Sequence, residues 1–356
     1  MPLIPIDDSG NSLFYEDSGI PSGAETDYTT LIVVHGTAFH AAVFKRLIPI
    51  APRYQIRLVL VNRRDYPNSS PYSDEDLELI KGSSEVTHTE FAKARGAEFA
   101  TFIKHFAERE RIPPTSLDRK SGGVVLMAWS SGNSYTIPLL AFADSISASI
   151  RESIQPFLRS LMIFDVPRWV LGPPPLDYGS GVLRDESLSL EERARRFNEW
   201  VSAYYTHTSV TSRDINDLQL YPVAGSRAGT TETMSADERR ELTHYAAVPR
   251  SEIAARTAAP EIYAERVRRA LFDDELAKYL PGCGVDVVWC ERSTWASIDA
   301  AWGFEKLKEK ADEQGIRGRP LRMFMMPGAN HFPHWDEPEK AMAFFANVIS
   351  TWRPFQ

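Results

Sequence analysis

A serine in a setting suited to nucleophilic chemistry follows an apolar run in the middle of the chain. The segment reads Met127-Ala128-Trp129-Ser130-Ser131-Gly132-Asn133. A strained turn from a strand into a helix can lift a serine hydroxyl out of a sheet, but it crowds the residues two positions away. Ser130 has the small residues Ala128 and Gly132 at those positions, whereas Ser131 would have a tryptophan and an asparagine there. The pattern therefore favours Ser130 as a nucleophile, and a helix-capping serine is the alternative interpretation.

A loop that could hold a developing negative charge follows an earlier apolar run at residues 31–34. It reads His35-Gly36-Thr37-Ala38. A strand that ends in His-Gly can place the Thr37 amide beside the Ser131 amide, so that two backbone donors converge on one oxygen. We therefore expect Thr37 and Ser131 to form an oxyanion hole, with His35 holding the loop in a structural role.

Both segments need a sheet that brings strand ends together at one edge. Apolar runs too continuous for a half-exposed sheet alternate with helical patterns, which indicates an α/β chain whose mostly parallel sheet has helices on both faces. Amphipathic patterns predict packing helices at residues 89–108 and 339–352. The expected strands are an opening hairpin at 3–6 and 13–15, followed by runs at 31–34, 58–61, 124–128, 161–164, 285–289 and 323–326.

A long segment between two of the expected core strands differs from the rest of the chain. Residues 166–280 lack a convincing buried strand and contain charge-rich helical patterns. We therefore predict that residues 167–275 form a helical lid (cap) domain, and that residues 1–166 and 276–356 form the core domain. The stretch at 225–233 is the expected flexible loop of this lid.

Composition argues against several function classes. The 356 residues include 40 Lys and Arg against 48 Asp and Glu, a formal charge of −8, and no basic run is long enough to follow a phosphate backbone. No apolar stretch approaches the roughly 20 residues that span a bilayer. Cys283 and Cys290 lie too far apart along an extended segment to form a disulfide. We expect a cytoplasmic protein with a small-molecule substrate, no nucleic-acid or membrane partner, no metal and no cofactor, while the oligomeric state stays open.

In chain order, these features resemble those of the α/β-hydrolase-fold serine hydrolases over nearly the whole chain. The resemblance implies an eight-stranded, mostly parallel sheet flanked by helices, with the lid inserted after strand 6. It also implies that His331 is the general base, with His334 as its competitor. Two further segments carry the resemblance. One is similar to the Asp-x-Arg-Gly-x-Gly-x-Ser turn of that family and reads Asn62-Arg63-Arg64-Asp65-Tyr66-Pro67-Asn68-Ser69-Ser70. The other follows the last core strand and reads Pro327-Gly328-Ala329-Asn330-His331-Phe332-Pro333.

The acid of the implied triad departs from the usual pattern of the family. Its usual position, after the next-to-last core strand, is occupied by Ser293, and a serine cannot stabilise an imidazolium as a buried carboxylate does. Some members place the acid after the strand that precedes the lid, where this chain has Asp165. We therefore assign Asp165 as the acid, with Glu291, Asp299 or no acid at all as the alternatives.

The resemblance implies a lidded serine hydrolase that cleaves an ester, lactone or similar acyl bond of a small, largely apolar substrate through an acyl-enzyme. Aromatic side chains near the strand ends and in the lid predict an apolar pocket that includes Trp129, Trp169 and Trp295. Two other functions stay open. One is a lyase or C–C bond-cleaving enzyme on the same fold, and the other is a non-catalytic ligand-binding homologue, which the missing carboxylate at Ser293 suggests.

Overall fold

The continuous apolar runs of the chain form the strands of one eight-stranded sheet. The computed structural model describes residues 2–24, 26–82, 84–172, 180–223 and 225–351. The order of the strands is β1-β2-β4-β3-β5-β6-β7-β8, in which β2 runs antiparallel to its neighbours and all other pairs are parallel. The strands are β1 (Leu3–Pro5), β2 (Ser12–Asp17), β3 (Thr29–Val34), β4 (Ile56–Val61), β5 (Val124–Trp129), β6 (Leu158–Phe164), β7 (Gly284–Cys290) and β8 (Leu321–Met326).

The register of the inner strands brings the ends of β3, β5 and β6 to one level. Val34 pairs with Ala128, and Trp129 pairs with Phe164. Strands β3 to β7 are buried along their whole length, which explains why their sequences are mostly apolar and do not alternate with polar residues. The residues that follow β3, β5 and β6 therefore meet at the same edge of the sheet.

Helices cover both faces of this sheet, as the sequence predicts. The pattern at 89–108 corresponds to α2, and the pattern at 339–352 corresponds to α12, although Trp352 lies outside the described residues. No helix within the described ranges is both long and apolar enough to cross a membrane. The helices are α1 (Asp74–Lys81), α2 (Glu85–Glu110), α3 (Asn133–Ala141), α4 (Ala148–Ile154), α5 (Leu190–Ser202), α6 (Thr230–Thr233), α7 (Ala236–Leu242), α8 (Pro260–Phe272), α9 (Asp274–Ala277), α10 (Trp295–Glu313), α11 (Pro333–Asp336) and α12 (Pro338–Ser350).

Between β6 and β7, the described part of the chain contributes helices and turns but no strand to the sheet. The division into a core and a lid at residues 167–275 stays a prediction. The packing of α8 bears on its C-terminal boundary, because Val267 and Leu271 of this helix share an apolar cluster with Phe102 of α2 and Leu140 of α3. The last long helix of the predicted lid thus packs on the core.

The stretch at 225–233 differs from the expected flexible loop, because its second half forms α6. Thr230 and Thr231 are buried. The Thr231 amide donates to Ser202 Oγ at 3.1 Å, and Thr230 Oγ1 donates to Asp336 Oδ2 at 2.6 Å. These partners lie far along the chain, so the local composition of the stretch could not indicate that it is held in place.

Candidate active site

Ser130 occupies a strained turn between β5 and α3. Its φ is +55°, in the left-handed region that residues with a side chain rarely adopt. The turn also requires glycine at two neighbouring positions. A Cβ at Gly132 would lie 2.5 Å from the carbonyl oxygen of His35, and a Cβ at Gly36 would lie 2.9 Å from Ser130 Cβ. The sequence around Ser130 therefore fits a nucleophile elbow pressed against the end of β3.

Asp165 lies at the end of β6, fully buried and also in the left-handed region, with a φ of +45°. Its Oδ2 accepts hydrogen bonds from His331 Nδ1 and from Ser293 Oγ. Its Oδ1 accepts from the Cys290 amide at 2.9 Å. The structure therefore brings Asp165 and His331 together, and the residue at the usual acid position, Ser293, is a donor to this carboxylate.

The other two carboxylates weighed as the acid are engaged elsewhere. Glu291 Oε2 accepts from the Gly328 amide at 2.6 Å, which stabilises the turn that precedes His331. Asp299 forms an ion pair with Arg168. Neither contact involves the His331 ring.

His334, the competitor of His331, is buried in an aromatic cluster. Its ring stacks on Phe44 with 4.0 Å between the ring centroids. Neither of its ring nitrogens has a hydrogen-bond partner among the described residues. Burial, with a smaller effect of His331, lowers the pKa of His334 well below its usual value of 6.5, so the ring is neutral. It is not among the described residues that border the cavity beside Ser130.

The position of Trp129 corrects the prediction that it lines the substrate pocket. This residue is 1% exposed and is not among the described residues that border the cavity. Successive side chains of a strand point to opposite faces of the sheet. Because Trp129 directly precedes Ser130, its side chain points away from the cavity. Its Nε1 donates to the carbonyl oxygen of His331 at 3.0 Å. Trp129 thus supports the loop that carries His331.

The loop expected to form the oxyanion hole lies against the Ser130 turn. Thr37 Oγ1 lies 2.6 Å from Ser131 Oγ, so the structure brings these two residues together. The Thr37 amide hydrogen has no protein acceptor in the described ranges. The neighbours of Thr37 are fixed by hydrogen bonds: Gly36 O accepts from Arg63 Nη2 at 2.8 Å, and the Ala38 amide donates to Tyr66 Oη at 3.0 Å.

His35 has the structural role expected for it. It is buried, and burial together with the nearby Arg63 guanidinium lowers its pKa well below 6.5. Its Nε2 lies 3.1 Å from the Arg63 amide, which can only donate, and its Nδ1 lies 2.9 Å from the Gly36 carbonyl, which can only accept. The neutral ring with its proton on Nδ1 satisfies both partners. His35 therefore ties the start of the loop to the segment after β4.

A buried carboxylate that sequence reasoning missed organises this loop. Glu252 is 2% exposed and accepts hydrogen bonds from Thr37 Oγ1 at 2.6 Å, from Tyr66 Oη at 3.0 Å and from Arg63. Burial by itself raises the pKa of a carboxyl, but the Arg63 and Arg256 guanidiniums outweigh it and hold the pKa of Glu252 below its usual value. The ionised Glu252 thus connects the segment before α8 to the candidate oxyanion hole.

A cavity of about 310 Å³ lies above Ser130, at the lower end of the size range of small-molecule sites. Thr37, Ser131 and His331 border it together with Ser130. The described residues hold no group of three or more His, Cys, Asp or Glu side chains placed to bind a metal. Two of the three expected tryptophans, Trp169 and Trp295, also border the cavity. Most of the other bordering residues are apolar or aromatic, among them Leu183, Phe197, Trp200, Ile253 and Tyr263.

Comparisons with known proteins agree with this architecture. Residues 31–343 match the model of a family described as the alpha/beta hydrolase family. The structure resembles that of the N-acyl homoserine lactonase AidH in complex with N-butanoyl homoserine, with a TM-score of 0.53, 13% identity and all of both chains covered. It also aligns with the crystal structure of a putative aryl esterase from Burkholderia cenocepacia, with a TM-score of 0.50, 13% identity, and 98% of this chain and 97% of that chain covered. The search among curated proteins gave no match. At such low identity, the structural likeness shows the fold alone.

Proposed function

The chain belongs to the alpha/beta hydrolase family, and from this premise we propose that it is a serine hydrolase that cleaves an ester, lactone or similar acyl bond. Membership of this family is the ground for hydrolase activity. The triad of Ser130, His331 and Asp165, and a small, largely apolar substrate, are the finer parts of the proposal.

The observation that carries the proposal is the hydrogen bond between Asp165 Oδ2 and His331 Nδ1. An imidazole bound in this way keeps its proton on Nδ1 and leaves Nε2 free to accept a proton. His331 borders the same cavity as Ser130. A base with an available Nε2 that borders the same cavity as a serine on a strained turn suits nucleophilic catalysis.

In the proposed reaction, Ser130 Oγ attacks the substrate carbonyl carbon while its proton moves to His331 Nε2. The buried Asp165 carboxylate stabilises the imidazolium that forms. The carbonyl oxygen becomes an oxyanion, which the Thr37 and Ser131 amides stabilise. The intermediate then collapses, the bond to the leaving oxygen breaks, and His331 gives that oxygen the proton.

The acyl group now esterifies Ser130, and water completes the cycle. His331 Nε2 takes a proton from the water as the water oxygen attacks the acyl carbon. A second oxyanion forms and collapses, the bond to Ser130 Oγ breaks, and the proton returns to the serine. The products are a carboxylic acid and an alcohol, or a hydroxy acid when the substrate is a lactone.

The apolar border of the cavity supports the substrate part of the proposal. The aromatic and aliphatic side chains that border the cavity favour an apolar acyl or alkyl group over a polar group that keeps its hydration shell. Several of them, including Phe197 and Trp200, lie within the predicted lid at residues 167–275. We propose that this segment, as a lid, sets the size of the group that the site accepts.

Labelling with a fluorophosphonate, followed by peptide mass spectrometry, tests the nucleophile. We expect the probe to modify Ser130 in the wild-type chain, because only a serine activated by a base reacts quickly. Ser130→Ala should abolish labelling and lower kcat on 4-nitrophenyl esters by about 10⁴-fold or more. Ser131→Ala is the matched control and should still be labelled at Ser130. Labelling of Ser131, or undiminished turnover in Ser130→Ala, would overturn the assignment.

A further inference from the structure

The cavity beside Ser130 carries positive charge in a molecule whose formal net charge is −8. Arg168, Arg184 and Arg256 border it, and no Asp or Glu is among its described bordering residues. Cations are costly to place in an apolar cleft unless they meet a partner. Each of these charges must therefore be balanced by the protein, by water or by a bound molecule.

The three arginines differ in how their charge is balanced. Arg168 is paired with Asp299, which offsets its charge. Arg184 is exposed, so water screens it. Arg256 has only 16% of its side chain exposed, and its guanidinium donates to Thr37 Oγ1, which also borders the cavity. Arg256 is therefore the arginine whose charge would interact most strongly with a bound molecule.

The partner of Arg256 does not neutralise it fully. Glu252 Oε2 lies 3.7 Å from Arg256 Nη2, while Glu252 also binds the buried Arg63 directly. One carboxylate thus faces two guanidiniums, and one positive charge remains in excess. Among the described residues, Nε and Nη1 of Arg256 have no protein acceptor. Nη2 carries a second hydrogen besides the one that it donates to Thr37, so a carboxylate can accept two parallel hydrogen bonds from Nη2 and from the adjacent Nε or Nη1.

From this geometry we propose that the cavity takes a substrate whose acyl part ends in a carboxylate, and that Arg256 binds this carboxylate. The inference rests on the proposed serine hydrolase. The leaving oxygen must face His331, which protonates it, whereas Arg256 contacts Thr37 on the side of the oxyanion hole. The substrate group on the Arg256 side is therefore the acyl part. The apolar border accommodates the methylene groups between the two ends.

A pair of esters of equal shape tests the substrate class. The first is 4-nitrophenyl hydrogen adipate, and the second is 4-nitrophenyl 6-methylheptanoate, in which an isopropyl group replaces the carboxylate. We expect the wild-type chain to have a kcat/KM at least tenfold higher for the adipate, measured at low ionic strength and pH 7.5 after subtraction of spontaneous hydrolysis. A wild-type ratio near one overturns the proposal without reference to any variant.

Substitution then tests the residue. Arg256→Met should bring the ratio of the two kcat/KM values close to one, and Arg256→Lys should retain part of the preference because it keeps the charge. Arg184→Met, which removes a screened cation from the same cavity, is the matched control and should retain the wild-type ratio. A preference that survives in Arg256→Met, or that disappears only in Arg184→Met, contradicts the role of Arg256. If neither ester is cleaved in a Ser130-dependent manner, the proposed function fails instead.

Discussion

Replacing Asp165 with asparagine should cost far more activity than stability. The three groups that contact the Asp165 carboxylate all donate: the Cys290 amide to Oδ1, and Ser293 Oγ and His331 Nδ1 to Oδ2. An asparagine has one oxygen and one NH₂ group at these two places. The Cys290 amide belongs to the sheet edge and cannot become an acceptor, so the asparagine oxygen must face it. The NH₂ group then faces His331 and Ser293.

This arrangement forces a change in the imidazole. To accept a hydrogen bond from the amide NH₂, His331 must carry its proton on Nε2 instead of Nδ1, and in that tautomer it cannot take the proton of Ser130. The loss in kcat should be about 10⁴-fold, which corresponds to about 5 kcal/mol of transition-state stabilisation. The Ser293 hydroxyl can turn to accept, so the hydrogen bonds are largely replaced. The free energy of unfolding should therefore fall by only about 1–3 kcal/mol.

The assay measures kcat and KM on a 4-nitrophenyl ester at pH 8, together with urea unfolding of the same samples. KM should change little, because Asp165 contacts His331 and is not among the described residues that border the cavity. Glu291→Gln is the control, since its carboxylate accepts from the Gly328 amide, and it should lose less than about tenfold. Activity of Asp165→Asn within tenfold of wild type would refute the reasoning, and collapse of Glu291→Gln at the same time would transfer the role to Glu291.

Two further predictions concern buried charge. Glu252→Gln leaves Arg63 without its counterion and should lower the free energy of unfolding by about 3–5 kcal/mol; it should also reduce kcat tenfold or more, because Thr37 loses an ionic acceptor. The control is Glu98→Gln, at a buried carboxylate bound to Arg95, which should destabilise the fold without reducing kcat. Equal kcat values in the two variants would contradict the role of Glu252 at Thr37. Because the pKa of His334 is lowered in the folded chain, below about pH 6.5 the unfolded chain binds a proton that the folded chain does not. The contribution of this residue to the free energy of unfolding is therefore fully present above that pH and is lost as the pH falls. His334→Phe should therefore show a smaller drop in urea-unfolding free energy between pH 7.5 and pH 5, and an unchanged drop would count against this assignment.

The sequence predicts those parts of the molecule that local pattern determines. Continuous apolar runs identify the inner strands because burial on both faces favours apolar side chains at most of their positions, and the small residues around Ser130 reflect the crowding of the turn that contains it. No local pattern identifies the proposed acid. Asp165 follows a strand whose neighbours in the sheet come from distant parts of the chain, so sequence could propose its role only by resemblance.

Contacts between distant segments explain what the sequence did not reveal. Glu252 belongs to no recognisable motif, and its partner Thr37 lies 215 positions away. Arg256 is one of many arginines in a charge-rich stretch, and only the folded chain shows that it borders the cavity. The assignment of Trp129 to the pocket was wrong because the alternation of side chains along β5 places this residue under the His331 loop.

The anchoring of the loop after β3 by Glu252 limits how this protein could be re-engineered. In a grafting experiment, the predicted lid segment between β6 and β7 would be exchanged for that of another hydrolase to import a new specificity. Here the exchange would remove the carboxylate that neutralises Arg63 and orients Thr37, so a graft that fits perfectly in shape would still leave a charge buried in the recipient. A transplant into this chain must therefore bring its own acidic residue to that place, or be accompanied by replacement of Arg63 with a neutral side chain.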